Sequence, residues 1–366
     1  MPFKAHFALF LLSCLFVSTI RAQDYQTQNV WIITLDGLRW QELFAGADPE
    51  LIADTRYVSD TQSLKDAFWA ESPEQRRQLL MPFFWSTLAK EGQLIGNRNL
   101  NSQVNLTNDQ WFSYPGYNEI LTGYADPNIT SNAKKYNPNS TILEIANQSP
   151  GFEGKVAAFG SWDVFPYIIN DQRSGVHVNA GFQPATEETL SERESFLNEL
   201  QEQTPSPWSS VRLDVFTHHY ALEWVKKHQP RLLYIAYGET DDFAHDADYD
   251  QYLHAARRTD TFIRQLWEYC QKDPHYANNT TFIITTDHGR GDAIKRQWTD
   301  HGTSVKDAYQ TWIAAIGPDT PASGERQNSP VYYTNQIART ATTLLGIPYD
   351  GKGKAGQAIG DLLNKN

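Results

Sequence analysis

Phe282-Ile283-Ile284-Thr285-Thr286-Asp287-His288-Gly289 is an apolar, β-branched run that gives way at once to an adjacent Asp and His. Such a run reads as a buried strand, and its end is where open α/β sheets gather ligands and metals. Two other runs deliver similar chemistry. Val30-Trp31-Ile32-Ile33-Thr34-Leu35 ends in Asp36-Gly37, and Leu232-Leu233-Tyr234-Ile235-Ala236-Tyr237 is followed by Glu239, Asp241 and His245. Three strands that each end in hard or borderline ligands predict a metal centre built across one sheet edge.

Working outward, helical and strand patterns alternate. Residues 46–80 are polar and mixed and are expected as loops and helix over the mouth of the site. Helices are predicted over 81–91, with Pro82 in a first turn, and over 116–123 and 141–147. Lys155 to Phe159 is a strand candidate ending at Gly160-Ser161-Trp162-Asp163. Two helices split by Pro205 and Pro207 fill 184–228, and a long one runs from Tyr249 to Gln271. Trp312 to Ile316 reads as a strand and Thr334 to Leu345 as a helix ended by Gly346. The alternation implies an α/β fold: a doubly wound, mostly parallel central sheet flanked by helices, with loop insertions. One catalytic domain over residues 23–366 is expected.

The chain has 366 residues, 40% hydrophobic and 13% aromatic, so a sizeable core is available and global disorder is excluded. A formal net charge of -12 argues against a nucleic-acid-binding surface, because phosphate backbones are held by Lys and Arg. A small phosphorylated substrate remains compatible, since bound cations reverse the local field.

Residues 1–22 read as a signal peptide, with Lys4 in the n-region, Phe7 to Ile20 as h-region and cleavage after Ala22. Leu12-Ser13-Cys14 is the competing lipoprotein reading, disfavoured because apolar residues continue after Cys14. The expected location is therefore periplasmic or secreted, with no transmembrane segment in the mature chain. Removal of the leader leaves Cys270 as the one cysteine and no intramolecular disulfide.

Asp241 and His245 are four apart, a spacing that aims a carboxylate and an imidazole at one ion from a helical turn or tight loop. Asp287 and His288 are adjacent, which works at a strand end. His301 follows in Trp298-Thr299-Asp300-His301-Gly302, and Asp36 completes three Asp and three His. Oxygen and nitrogen ligands without thiolates suit zinc, with manganese or another divalent ion as the lesser possibility. The bland reading of each residue alone is a turn, a cap or a solvated acidic loop. His218-His219 reads as packing or surface, and Trp162 and Tyr117 as core residues or the wall of a leaving-group pocket.

In order along the chain, Asp36-Gly37, Ser113-Tyr114-Pro115-Gly116 with Leu121-Thr122-Gly123, Glu239-Thr240-Asp241 with His245, Asp287-His288-Gly289 and His301 resemble the alkaline phosphatase superfamily. Within it, the nucleotide pyrophosphatase/phosphodiesterase-like and related bacterial phosphatase branches are the most similar. The resemblance implies two zinc ions, one on Asp36, Asp287 and His288 and one on Asp241, His245 and His301. It implies Ser113, two residues before Pro115, as nucleophile, a covalent phosphoseryl intermediate, and a small phosphate ester as substrate. Unprotonated histidines are needed for metal, so a neutral-to-alkaline optimum is expected.

Several positions depart from the family pattern. Gly116 stands where many relatives carry Asn, so Asn118 or Asn132 would have to supply an oxyanion donor. Ser161-Trp162-Asp163 occupies the stretch where monoesterase relatives often carry a Lys-x-Arg pair, which tilts the expectation toward diesters or pyrophosphates over monoesters. Arg173, Lys134 or Lys135 are the candidates to replace that cation. The sulfatase signature is missing because Tyr117 lies two after Pro115. The inserted domain of cofactor-independent phosphoglycerate mutases does not fit this length, although the short gap from His288 to His301 is similar. The rival of another class is a non-catalytic, metal-stabilised binding protein; transfer to a second alcohol is the third option.

Overall fold

The computed structural model describes Met1 and residues 25–363, so the leader and Cys14 lie outside the described residues. In chain order the strands are β1 (Asn29–Leu35), β2 (Gln93–Ile95), β3 (Gln103–Asn105), β4 (Val156–Gly160), β5 (His177–Ala180) and β6 (Leu232–Tyr237). They continue with β7 (Thr280–Thr285), β8 (Gln310–Thr311), β9 (Ile313–Ile316), β10 (Gly324–Glu325) and β11 (Val331–Tyr333). Eight of them form one sheet in the order β10-β2-β9-β7-β1-β6-β4-β5, and β11-β3-β8 form a small second sheet.

The run β7-β1-β6-β4-β5 is parallel throughout, and β9 pairs antiparallel with β7. The expected mostly parallel α/β sheet is therefore the fold. Strand β1 shows why both faces are covered. Trp31, Ile33 and Leu35 enter one apolar core, while Val30 and Ile32 enter the other. Period-two alternation of apolar side chains on both faces is the mark of a strand buried between helical layers.

The three strands singled out from sequence are neighbours at the sheet centre. Leu35 of β1 stands beside Tyr237 of β6, and Thr34 beside Thr285 of β7. Parallel registration puts their carboxyl ends side by side, so whatever follows each strand meets at one place.

Differences from the sequence reading are local. Helices Thr61–Phe68 and Pro73–Leu80 pack into the first core through Leu64, Phe68 and Leu80, and no residue of 46–80 lines the cavity beside Ser113. Ser113 opens the helix Ser113–Thr122 instead of preceding it. Strands β2 and β3 went unrecognised, since three residues carry no readable alternation.

Candidate active site and metal centre

Asp36 follows β1 directly, Asp241 and His245 ride on the helix Glu239–His245 after β6, and Asp287 and His288 lie just past β7. His301 arrives from the loop beyond Lys295–Thr299. The six side chains converge. His288 Nε2 is 3.3 Å from Asp36 Oδ1, 3.5 Å from Asp287 Oδ2 and 3.7 Å from Asp241 Oδ1. His245 Nε2 is 3.2 Å from Asp241 Oδ2 and 2.9 Å from His301 Nε2. Two overlapping groups of ligand size emerge, Asp36-Asp287-His288 and Asp241-His288-His301.

The detailed hydrogen bonding fits cations. Tyr117 Oη donates to Asp36 Oδ2 at 2.7 Å, and the Gly37 N–H donates to Asp287 Oδ1 at 3.1 Å. The other oxygens, Asp36 Oδ1 and Asp287 Oδ2, are buried with no hydrogen-bond partner, as is His301 Nδ1. Buried acceptors left unmade are costly unless something else satisfies them. His288 Nδ1 is 3.0 Å from the Gly289 carbonyl oxygen, which fixes Nδ1 as a donor and aims Nε2 at three carboxylates. Burial alone would lower the His288 pKa, yet Asp287, Asp36 and Asp241 drive it up to about 9: the cluster attracts positive charge. Oxygen and imidazole donors in these two sets suit zinc-like ions.

Ser113 Oγ, buried, is 3.4 Å from His288 Nε2, so the hydroxyl stands at the edge of the cluster. Asn132 Oδ1 accepts from the Tyr114 N–H at 3.0 Å, fastening the 124–139 loop to the start of the Ser113 helix. A cavity of about 250 Å³ opens here, lined by Asp36, Ser113, Asp241, His245 and His301 together with Asn132, Trp162 and Asp242. A larger cavity of about 630 Å³ around Tyr124, Arg339 and Tyr349 contains none of the six ligand-type residues; size does not mark the chemistry here.

Some sequence candidates are placed elsewhere. Asn118 is fully buried, donating to the Tyr124 carbonyl and accepting from Asn137 and Asn139, so its amide is consumed by loop packing and faces no substrate. Arg173 is bound to Glu144 and the 137–139 carbonyls, away from the cavity. Lys134 is paired with Asp163 at 2.6 Å, near the Trp162 side of the cavity. Tyr117 does not line the cavity; it is the buried donor that orients Asp36.

Other contributors had little sequence signal. Arg290, fully buried, bonds the Asp241 carboxylate and the Thr299 carbonyl. Against the effect of burial, Arg290 and His245 hold the Asp241 carboxyl well below the usual range. Gly37, with φ of +59°, admits no side chain: a Cβ there would lie 2.7 Å from Asp241 Oδ1. Asp242 was passed over as one acid among many, but it lines the cavity, where burial, Asp241 and Asp36 push its carboxyl up to about 9.

A family model described as type I phosphodiesterase / nucleotide pyrophosphatase matches residues 48–332. A 2,3-bisphosphoglycerate-independent phosphoglycerate mutase from Gracilaria tenuistipitata var. liui is 33% identical over 88 residues, which are 23% of this chain and 16% of that protein. Among solved structures, the alkaline phosphatase PafA superposes with TM-score 0.62 at 11% identity, covering 93% of this chain and 99% of that one. The phosphonate monoester hydrolase SpPMH from Silicibacter pomeroyi gives 0.56 at 14% identity, covering 93% and 78%. At these identities the structural likeness establishes the fold.

Proposed function

This chain belongs to the type I phosphodiesterase / nucleotide pyrophosphatase family, and from that premise we propose that it is an exported two-metal hydrolase of phosphate esters acting through Ser113. The observation that carries this is the convergence of Asp36, Asp241, His245, Asp287, His288 and His301 on one edge of the sheet. It includes orphaned buried oxygens and a serine hydroxyl 3.4 Å from His288. Divalent ions bound there, zinc by the donor set, supply Lewis-acid stabilisation of phosphate charge and lower the pKa of a neighbouring hydroxyl.

The protein's own residues set the rest. Ser113 Oγ forms a bond to phosphorus as the bond to the leaving alcohol breaks; water then cleaves the phosphoserine. Tyr117, Gly37 and Arg290 hold the three carboxylates in place. Among the described residues lining the cavity, every ionisable group is an Asp or a His. A monoester dianion carries more charge than a diester and gains more from a cation, so this lining supports a preference for diesters or pyrophosphates. Monoester hydrolysis at the same site is the second reading, favoured only by Lys134 close by. Export rests on the Lys4 and Phe7–Ile20 segment; among the described residues no helix is long and apolar enough to cross a membrane.

The test is parallel rates on bis-p-nitrophenyl phosphate and p-nitrophenyl phosphate with zinc-loaded protein and a Ser113→Ala control. Faster diester cleavage, lost by at least about a thousand-fold in Ser113→Ala, is expected. Retained metal with no Ser113-dependent turnover on either would favour the binding-protein reading.

A further inference from the structure

The helix that carries Asp241 and His245 begins without a cap of its own. Its N-cap residue is Gly238, which has no side chain to offer the free N–H groups. The missing acceptor comes from another element. Asp214 opens the helix Asp214–His228 and is 1% exposed. Its Oδ1 accepts from the Gly238 N–H at 2.8 Å and its Oδ2 from the Glu239 N–H at 3.2 Å. The pairing is reciprocal: Glu239 Oε1 accepts from the Asp214 N–H at 2.9 Å, and Glu239 Oε2 takes Arg258 at 2.7 Å.

A third tie comes from the end of β4. Ser161 Oγ donates to Asp214 Oδ1 at 2.6 Å, and the Ser161 backbone bonds the Ala236 carbonyl of β6 and the Arg212 N–H. Ser161 thus spends the place after β4 on an internal strut. Asp214 is the point where β4, the end of β6 and the ligand-bearing helix are fastened together. Its bonds are made within three residues of Asp241, whose own N–H bonds the Gly238 carbonyl. Groups that orient metal ligands from behind are worth about 10–100-fold in metal affinity.

We propose that Asp214 is the positioning residue for one half of the metal centre: it fixes Asp241 and His245 through the start of their helix. Asp36, Asp287 and His288 hang on β1 and β7 and make no hydrogen bond to Asp214; their tie to that helix is the Thr240 hydroxyl, which donates to the Asp36 carbonyl at 2.5 Å. The inference rests on the two-ion reading above. It predicts an asymmetry: loss of Asp214 weakens the ion held by Asp241 and His245 far more than the other.

The experiment is competitive zinc titration of the metal-free full chain against a chromophoric chelator, resolving two affinities, for wild type, Asp214→Ala and Asp214→Asn. Circular dichroism and thermal melting of the metal-free proteins accompany it. Asp214→Ala should weaken one of two ions by about ten-fold or more and leave the other within about two-fold. Asp214→Asn, which keeps one acceptor oxygen, should fall between and decides the matter if the Ala variant does not fold. Equal weakening of both ions, or of neither, overturns the role of Asp214. A wild type that binds fewer than two ions overturns the two-ion reading itself, and this inference with it.

Discussion

A Cβ placed on Gly116 would stand 2.3 Å from the Asp287 carbonyl oxygen, so the Ser113 helix lies directly against the backbone of a ligand-bearing loop. This explains the departure at 116: the contact that brings Ser113 to the cluster leaves no room for a side chain. Gly116→Ala should push the helix away, cutting kcat/KM on the preferred ester by about 100-fold and stability by about 1–3 kcal/mol. Steady-state kinetics with a urea melt would check both; unchanged kinetics would mean that the helix position is not critical. At the rim, the Lys134–Asp163 pair is half-exposed and cheap to break. Asp163→Ala should therefore free Lys134 and raise monoester relative to diester turnover several-fold, an effect cancelled by also removing Lys134. The ligand-type residues were legible at this scale because strand ends announce them. Tyr117, Arg290 and Asp214 were not, since a tyrosine, an arginine or an aspartate reaching across the fold leaves no local pattern. Asn118 misled for the same reason: it lies close to Ser113 in sequence, while its amide belongs to the Asn137-Asn139 network.

Among the elements, the long runs were read well. The strands at 30, 232 and 280 and the helix Tyr249–Lys272 declare their periods over many residues. Short strands and the polar 46–80 segment did not, because three residues cannot show alternation and a helix's burial partner is set by tertiary packing. Helix Asp214–His228 carries a buried histidine whose role is structural. His218 Nδ1 is 3.1 Å from Tyr237 Oη and Nε2 is 2.9 Å from Gln265 Oε1. Burial, with His219 beside it, pushes the His218 pKa down to about 3, and burial takes His177 down to about 4. In the unfolded chain both protonate near 6.5, so the unfolded state takes up more protons below that pH. The stability these histidines contribute is full above pH 6.5 and is lost as pH falls toward 4 and then 3. Urea denaturation between pH 6 and 4 should give a slope about 1.4 kcal/mol per pH unit shallower in His218→Gln than in wild type. Parallel slopes would contradict a neutral, buried His218.

For the whole molecule, the buried oxygens of Asp36 and Asp287 that lack a hydrogen-bond partner are a cost that a bound cation would relieve. Zinc should raise the melting temperature, with about 2.7 kcal/mol added at a hundred-fold excess over Kd, and chelation should reverse it. Calorimetry in zinc and in chelator would check this; an unchanged melting temperature would argue against ion binding by the folded state. The adjacency of β1, β6 and β7 has a consequence for when the protein becomes itself. Val30 pairs with Leu232 and Asn29 with Thr280, so the first strand waits for partners from far down the chain. Contacts this remote in sequence are slow to form and close late. A growing chain that has not yet delivered its seventh strand has neither a finished sheet nor a place for an ion. Hydrolytic power is thereby withheld until the polypeptide has been made past Thr285, a form of timing written into strand order.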